Sequence, residues 1–212
     1  MSDEARTQLK IVGRSSSHFT RVARIFAAEL HVDYGFQPVL DLNSVDAADY
    51  GGNPALRVPS LHTSAGAWFG ALNICRELAR QAGVKRTIVW PEDLQQPLLA
   101  NTQELTVQAM STEVSLIMAG AVGRSEAPGQ AAKMRTSLLN MLSWLEANVK
   151  SALAQLPSNR DLSFLEVTLF CLVTHLEFRQ VVPVESYAAL TGFCRRFAER
   201  PSAKLTAFRF DA

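Results

Sequence analysis

Apolar and polar positions change their rhythm along the chain near Gly83. Before it, short apolar runs alternate with helical patterns. Leu9-Lys10-Ile11-Val12 suits a buried strand, and Val22, Ile25, Phe26 and Leu30 then recur at helical spacing, with Arg21 and Arg24 on the opposite face. Phe36 to Leu42 reads as a second strand, followed by a polar, Asp-rich stretch closed by Gly51-Gly52. Val58 to His62 and Ala67 to Phe69 are short strand candidates, and Leu72 to Ala82 is a helix ended by Gly83. The order is β-α-β-(α)-β-β-α.

After Gly83 strand signals disappear and long amphipathic stretches take over. Pro91 suits the first turn of a helix running to about Ala121, because its missing N–H would have no partner there anyway. Met134, Leu138, Met141, Leu142, Leu145 and Val149 form one stripe of a second long helix. A third, from Phe164 to about Phe178, is apolar nearly all round and therefore expected at the centre of a helical region. Ser163 with Glu166 reads as a capping box at its start, and Leu162 with Val167 as a hydrophobic staple. Tyr187 to Phe197 is the last clear helix, ended by Arg200-Pro201-Ser202. The pattern divides the chain into an α/β part over residues 1–83, a linker over 84–91 and an all-helical part over 92–212.

Composition narrows the function classes. With 212 residues, 48% of them hydrophobic, the chain can bury a sizeable core. Its 21 basic and 20 acidic residues nearly cancel, so no broad field points to nucleic acid or to an anionic membrane. No run approaches the roughly 18 apolar residues that span a bilayer, and Met1-Ser2-Asp3-Glu4 is polar and acidic, unlike a signal peptide. A cytoplasmic location is the expectation. Cys75, Cys171 and Cys194 sit in apolar helical contexts and read as reduced core thiols. His18, His31, His62 and His175 occur singly, without ligand spacing, so no metal site is expected.

Two stretches carry candidate chemistry. Arg14-Ser15-Ser16-Ser17-His18 joins the first strand to the first helix, where a serine can cap the helix or offer a hydroxyl to a ligand. Asn53-Pro54-Ala55-Leu56-Arg57-Val58-Pro59-Ser60-Leu61 places two prolines around the entry to the third strand. Its Asn-Pro-x-x-x-Val-Pro-x-Leu spacing, after a β-α-β start and before Arg200-Pro201-Ser202 with Thr206, resembles the glutathione transferases over nearly the whole chain.

The resemblance implies a thioredoxin-like domain with a mixed four-stranded sheet, followed by an all-α helical bundle domain. It implies glutathione as co-substrate, a small hydrophobic electrophile as second substrate, and a homodimer. Pro59 would be cis, with the Val58 N–H and C=O pairing with the cysteinyl backbone of glutathione. Arg21, Arg24 and Glu29 match the Arg-x-x-Arg-x-x-x-x-Glu pattern of the family's first helix and put Ser17 on the catalytic position, with Ser16 and Ser15 as alternatives. A hydroxyl there, with the positive end of the helix, would favour the thiolate. Arg14 would hold a carboxylate. The Arg14-Ser15-Ser16 start also looks like the Arg-Ser-Ser-Cys of zeta-type isomerases, but Ser17 replaces the cysteine.

One departure stands out. The family's Glu-Ser or Asp-Ser pair, which takes the γ-glutamyl group, falls on Gly70-Ala71. No Asp or Glu occurs between Tyr50 and Arg76, so nothing nearby replaces the acid, although the helix N-terminus can receive a carboxylate and Ser64 or Asn73 can add a bond. Glu104 of a second copy is a further candidate, and Trp68 and Phe69 are expected in packing. On the helical side Met110, Val114, Ile117 and Met118 are candidate walls for the second substrate, or plain core. Two functions follow: a transferase, and a non-catalytic binding or assembly protein whose glutathione site is weakened or lost.

Overall fold

The computed structural model describes residues 9–121 and 128–212; the acidic start at Met1-Ser2-Asp3-Glu4 lies outside them. Contacts group the chain into two units, Met1–Arg86 with Arg200–Ala212, and Thr87–Glu199.

In the first unit, β1 (Lys10–Gly13), β2 (Gly35–Pro38), β3 (Ser60–Thr63) and β4 (Gly66–Phe69) form a mixed sheet in the order β2-β1-β3-β4. β1 pairs parallel with β2 and antiparallel with β3, and β4 closes a tight antiparallel hairpin on β3. The parallel pair needs a crossover, which is α1 (His18–Glu29). α1 buries Val22, Ile25 and Phe26, α2 (Ala71–Gln81) buries Ile74, Cys75 and Leu78, and the two helices pack together. The polar stretch between β2 and β3 holds only a 3₁₀ turn, Ala47–Tyr50. The fully buried Tyr50 donates its hydroxyl to the Leu42 and Ser44 carbonyls, and Ser60 Oγ donates to the Tyr50 carbonyl at 2.6 Å.

Residues 200–212 return to this unit. The short helix α7 (Pro201–Leu205) packs on α1, and Arg200 binds Glu29 through two hydrogen bonds of 2.8 and 2.9 Å, with Ser202 Oγ as a third donor to the same carboxylate.

The second unit holds α3 (Pro97–Ala121), α4 (Pro128–Ala154), α5 (Phe164–Arg179) and α6 (Ala188–Phe197). As its all-round apolar sequence predicts, α5 is buried on every side, with Leu165, Leu169, Phe170 and Leu172 at 1% exposure or less. His175 on α5 is buried, its Nδ1 2.8 Å from Glu113 Oε1 on α3. Burial pushes the Glu113 carboxyl above its ordinary range despite that bond.

Three local expectations give way. Pro91 begins only a 3₁₀ turn, Pro91–Asp93, and the long helix starts at Pro97. A helix running through 97 would lack the bond from that residue's missing N–H, so it restarts with proline in its first turn. Ser163 makes no side-chain cap bond, and Glu166, the other half of the box, is held by Arg160 at 2.7 and 2.8 Å. Strand structure also persists past Gly83: β5 (Ile88–Val89) pairs parallel with β6 (Leu162–Ser163), beside the Asp161 carboxylate that accepts the Thr87 N–H.

Candidate functional site

Strand register assembles the site. Val12 lies opposite Ser60, and Ser60 opposite Phe69. The chain therefore leaves β1 at Gly13-Arg14, enters β3 through Val58-Pro59 and leaves β4 at Gly70-Ala71 along one edge of the sheet. That edge carries the carboxyl ends of the parallel strands β1 and β2, where open α/β sheets bind their ligands.

The serine turn comes first. Ser17 donates its N–H to the Arg14 carbonyl at 3.0 Å, closing a turn, and its Oγ caps α1 by accepting the Thr20 N–H at 3.3 Å. The cap uses one lone pair of the hydroxyl and leaves its O–H free to donate. Ser15 and Ser16 are nearly inaccessible, at 1% and 4% exposure, whereas Ser17 is half-buried. Ser15 is also tied at both groups: its N–H donates to Asp211 Oδ2 at 2.7 Å and its Oγ accepts from Arg24 Nη1 at 3.5 Å. Of the three serines, Ser17 alone combines access with an available donor. His18 is fully buried, and its Nδ1 accepts the Phe19 N–H at 3.0 Å. Arg14 holds Thr20 Oγ1 through its backbone N–H and reaches the Leu40 carbonyl at 3.5 Å, while its buried Nε has no hydrogen-bond partner among the described residues. A buried guanidinium donor without a partner among the described residues is one that a carboxylate would satisfy.

The second wall is the loop into β3. Asn53 is buried and folds the loop on itself, donating through Nδ2 to the Arg57 carbonyl at 2.8 Å and accepting the Ala55 N–H at 3.0 Å. That bracket accounts for the Asn-to-Val spacing in the sequence. The Val58–Pro59 peptide is cis. Val58 packs its side chain against Val12, Val39 and Tyr50, and its own N–H and C=O take no hydrogen bond among the described residues. The backbone is open to an added strand.

The third wall is the start of α2. Gly70 caps it at φ +82° with no side-chain bond, and a Cβ built there would meet nothing within 4 Å. Neither Gly70 nor Ala71 brings a polar side chain. Ser64 sits in the hairpin turn at the far end of β3 and β4, whereas Asn73, in the first turn of α2, donates through Nδ2 to the Phe69 carbonyl at 3.2 Å. Trp68 carries Arg80 over its ring at 4.9 Å. Among the candidate substrate-wall residues, Met110 is fully buried core, while Val114, Ile117 and Met118 keep part of their surface.

Asp211 joins the site with no motif to announce it, since it stands 196 residues from Ser15, whereas Arg24, on the Ser15 hydroxyl, belongs to the first-helix pattern.

No family model matches the chain, and no curated protein matches it. Solved structures do. A glutathione S-transferase from Methylobacillus flagellatus, with glutathione bound, superposes at TM-score 0.75 with 20% identity, covering 95% of this chain and 100% of its own. A glutathione transferase family member from Pseudomonas fluorescens, also with glutathione bound, gives 0.77 at 19% identity with the same coverage. Gtt2 from Saccharomyces cerevisiae gives 0.69 at 16%, covering 93% and 99%. A four-stranded mixed sheet followed by a helical unit, matched over almost the full length of proteins from bacteria and yeast, gives this chain the glutathione transferase fold.

Proposed function

We propose that the chain binds glutathione at the edge formed by Ser17, Val58 and the start of α2, and transfers its thiolate to a small hydrophobic electrophile. The observation that carries this reading is Ser17: a half-buried helix-capping hydroxyl whose proton has no acceptor among the described residues, at the same end of the sheet as a Val58 backbone that takes no hydrogen bond among them. Glutathione is bound in two of the bacterial structures above. In this chain Val58 would take the cysteinyl backbone, Ser17 would donate to the sulfur, and Arg14 would hold a carboxylate. The hydroxyl bond and the α1 N-terminus both favour the thiolate and increase its population at neutral pH. The second substrate, the cytoplasmic location and the homodimer remain part of the proposal through the resemblance alone.

The bare Gly70-Ala71 pair favours a second reading, a binding or assembly protein that retains the fold and has lost turnover. An unpaired ammonium forfeits a charge-assisted bond of about 1.5–3 kcal/mol, one to two orders of magnitude in affinity. Calorimetric titration with glutathione separates the two. Binding below the millimolar range, with turnover of a generic electrophile that falls on Ser17→Ala, is the expected result. Absent binding would leave the second reading, and unchanged turnover in Ser17→Ala would move the activating role to Ser16 or Ser15.

A further inference from the structure

Residues 200–211 run antiparallel along α1 and touch it at three levels. Arg200 and Ser202 bind Glu29 at its C-terminal end. Midway, Arg21 Nη2 donates to the Ala203 carbonyl at 3.1 Å and its guanidinium lies 4.3 Å from the centre of the Phe208 ring. Beyond the N-terminal end, Asp211 Oδ2 accepts the Ser15 N–H at 2.7 Å. A carboxylate accepting a backbone N–H is a charge-assisted bond, stronger than a neutral one. With Arg24 on the Ser15 hydroxyl, it fixes the residue two positions before the capping serine from both sides.

We infer that Asp211 is a positioning residue for the serine turn: it holds Ser15 so that the Ser17 hydroxyl faces the thiol. The inference rests on the function proposed above, and it assigns Asp211 no contact with substrate. Without the carboxylate, Ser15 keeps the long contact from Arg24 to its hydroxyl but loses the hold on its N–H, while the bonds of Arg14 and Ser17 fix only the ends of the turn. Misplacement of a catalytic donor by a fraction of an ångström to an ångström lowers turnover and leaves the grip of Val58 on the peptide unchanged.

The test compares Ser17→Ala, Asp211→Ala and Asp211→Asn in the full chain, reading kcat, KM for glutathione, and the pH dependence of bound-thiolate absorbance. For Asp211→Ala, kcat should fall roughly tenfold, KM should stay within about twofold, and the thiol should ionise at higher pH. Asp211→Asn, whose amide oxygen can still accept the Ser15 N–H, should recover most of that loss. Hydrogen exchange at the Ser15 amide should quicken in Asp211→Ala and not in Asp211→Asn. If Ser17→Ala loses turnover while Asp211→Ala leaves kcat and thiol ionisation untouched, the inference is overturned and the proposed function stands. If Ser17→Ala is silent or glutathione does not bind, the proposed function fails instead. The exchange measurement then judges the latch by itself, and an unaltered Ser15 amide refutes it.

Discussion

Gly13 shows how closely α1 sits on the end of β1. A Cβ at this position would lie 2.6 Å from Thr20 Cγ2 and 2.7 Å from Thr20 Oγ1, closer than real atoms approach. Gly13→Ala must push α1 outward or force Thr20 from the bond it accepts from the Arg14 N–H. We expect a loss of about 1–3 kcal/mol in denaturant unfolding, the range for overpacked sites, together with weaker turnover because the serine turn moves with the helix. Gly70 is the opposite case. It has room for a side chain, but its backbone at φ +82° and ψ 138° lies close to a region kept for glycine, so a side chain there costs strain of about 1–3 kcal/mol in stability. The double replacement Gly70→Asp with Ala71→Ser restores an acid and a hydroxyl at the α2 start. Titration should show glutathione affinity rising about tenfold, the worth of one charge-assisted bond; unchanged affinity would place the γ-glutamyl end elsewhere.

Among the elements, α1 carries the clearest linkage to pH. Burial by itself would raise the Glu29 carboxyl, but hydrogen bonds from Arg200 and Ser202 and the charges of Arg200 and Arg86 hold it below its ordinary value. Its contribution to stability is therefore complete above the unfolded carboxyl value of about 4.3 and is lost as pH falls through the lower folded value. Glu29→Gln should be less stable than the parent at neutral pH by about 1–3 kcal/mol, the cost of a lost charged hydrogen bond. The gap in unfolding midpoint should close as the pH drops below the carboxylate range. A constant gap would mean that Glu29 acts by shape alone. The elements themselves were largely legible. Periodicity places α1, α2 and α5 because each has one decisive feature: an apolar stripe in α1, a stripe followed by Gly83 in α2 and an apolar circumference in α5. The start of α3 misleads because two prolines compete for the same role and only pairing of the following N–H groups decides between them. The expected capping box at Ser163 misleads differently: the motif counts residues along the chain, whereas Arg160 takes Glu166 through a loop geometry that spacing does not reveal. A two-residue ladder such as β5 with β6 is too short to leave any period.

Across the whole molecule, the candidate site was legible as a set of segments and illegible as a set of bonds. The Asn53-to-Leu61 spacing finds the loop and Val58. Which of three serines is exposed, and which is tied down by Asp211 and Arg24, depends on contacts between residues far apart in sequence. The same holds for the return of residues 200–212 to the first unit. A chain ending at Glu199 loses the Arg200 and Ser202 bonds to Glu29, the Ala203 acceptor for Arg21 and the Asp211 hold on Ser15. We expect it to unfold at markedly lower denaturant, by an amount on the order of 3 kcal/mol for two or more charged hydrogen bonds, and to show weakened thiol activation. An unaltered midpoint would demote the strap to a surface trimming.

That strap also orders events during synthesis. The α/β unit leaves the ribosome first, yet the residues that bind Glu29, Arg21 and Ser15 emerge only after Thr87–Glu199 has been made. Domains ordinarily fold as they appear, amino end first. Here the leading unit has to wait, with α1 uncovered along one side, until translation of the helical unit is finished. The serine turn is thus fastened only after residues 200–211 have been made, well after the rest of its own unit.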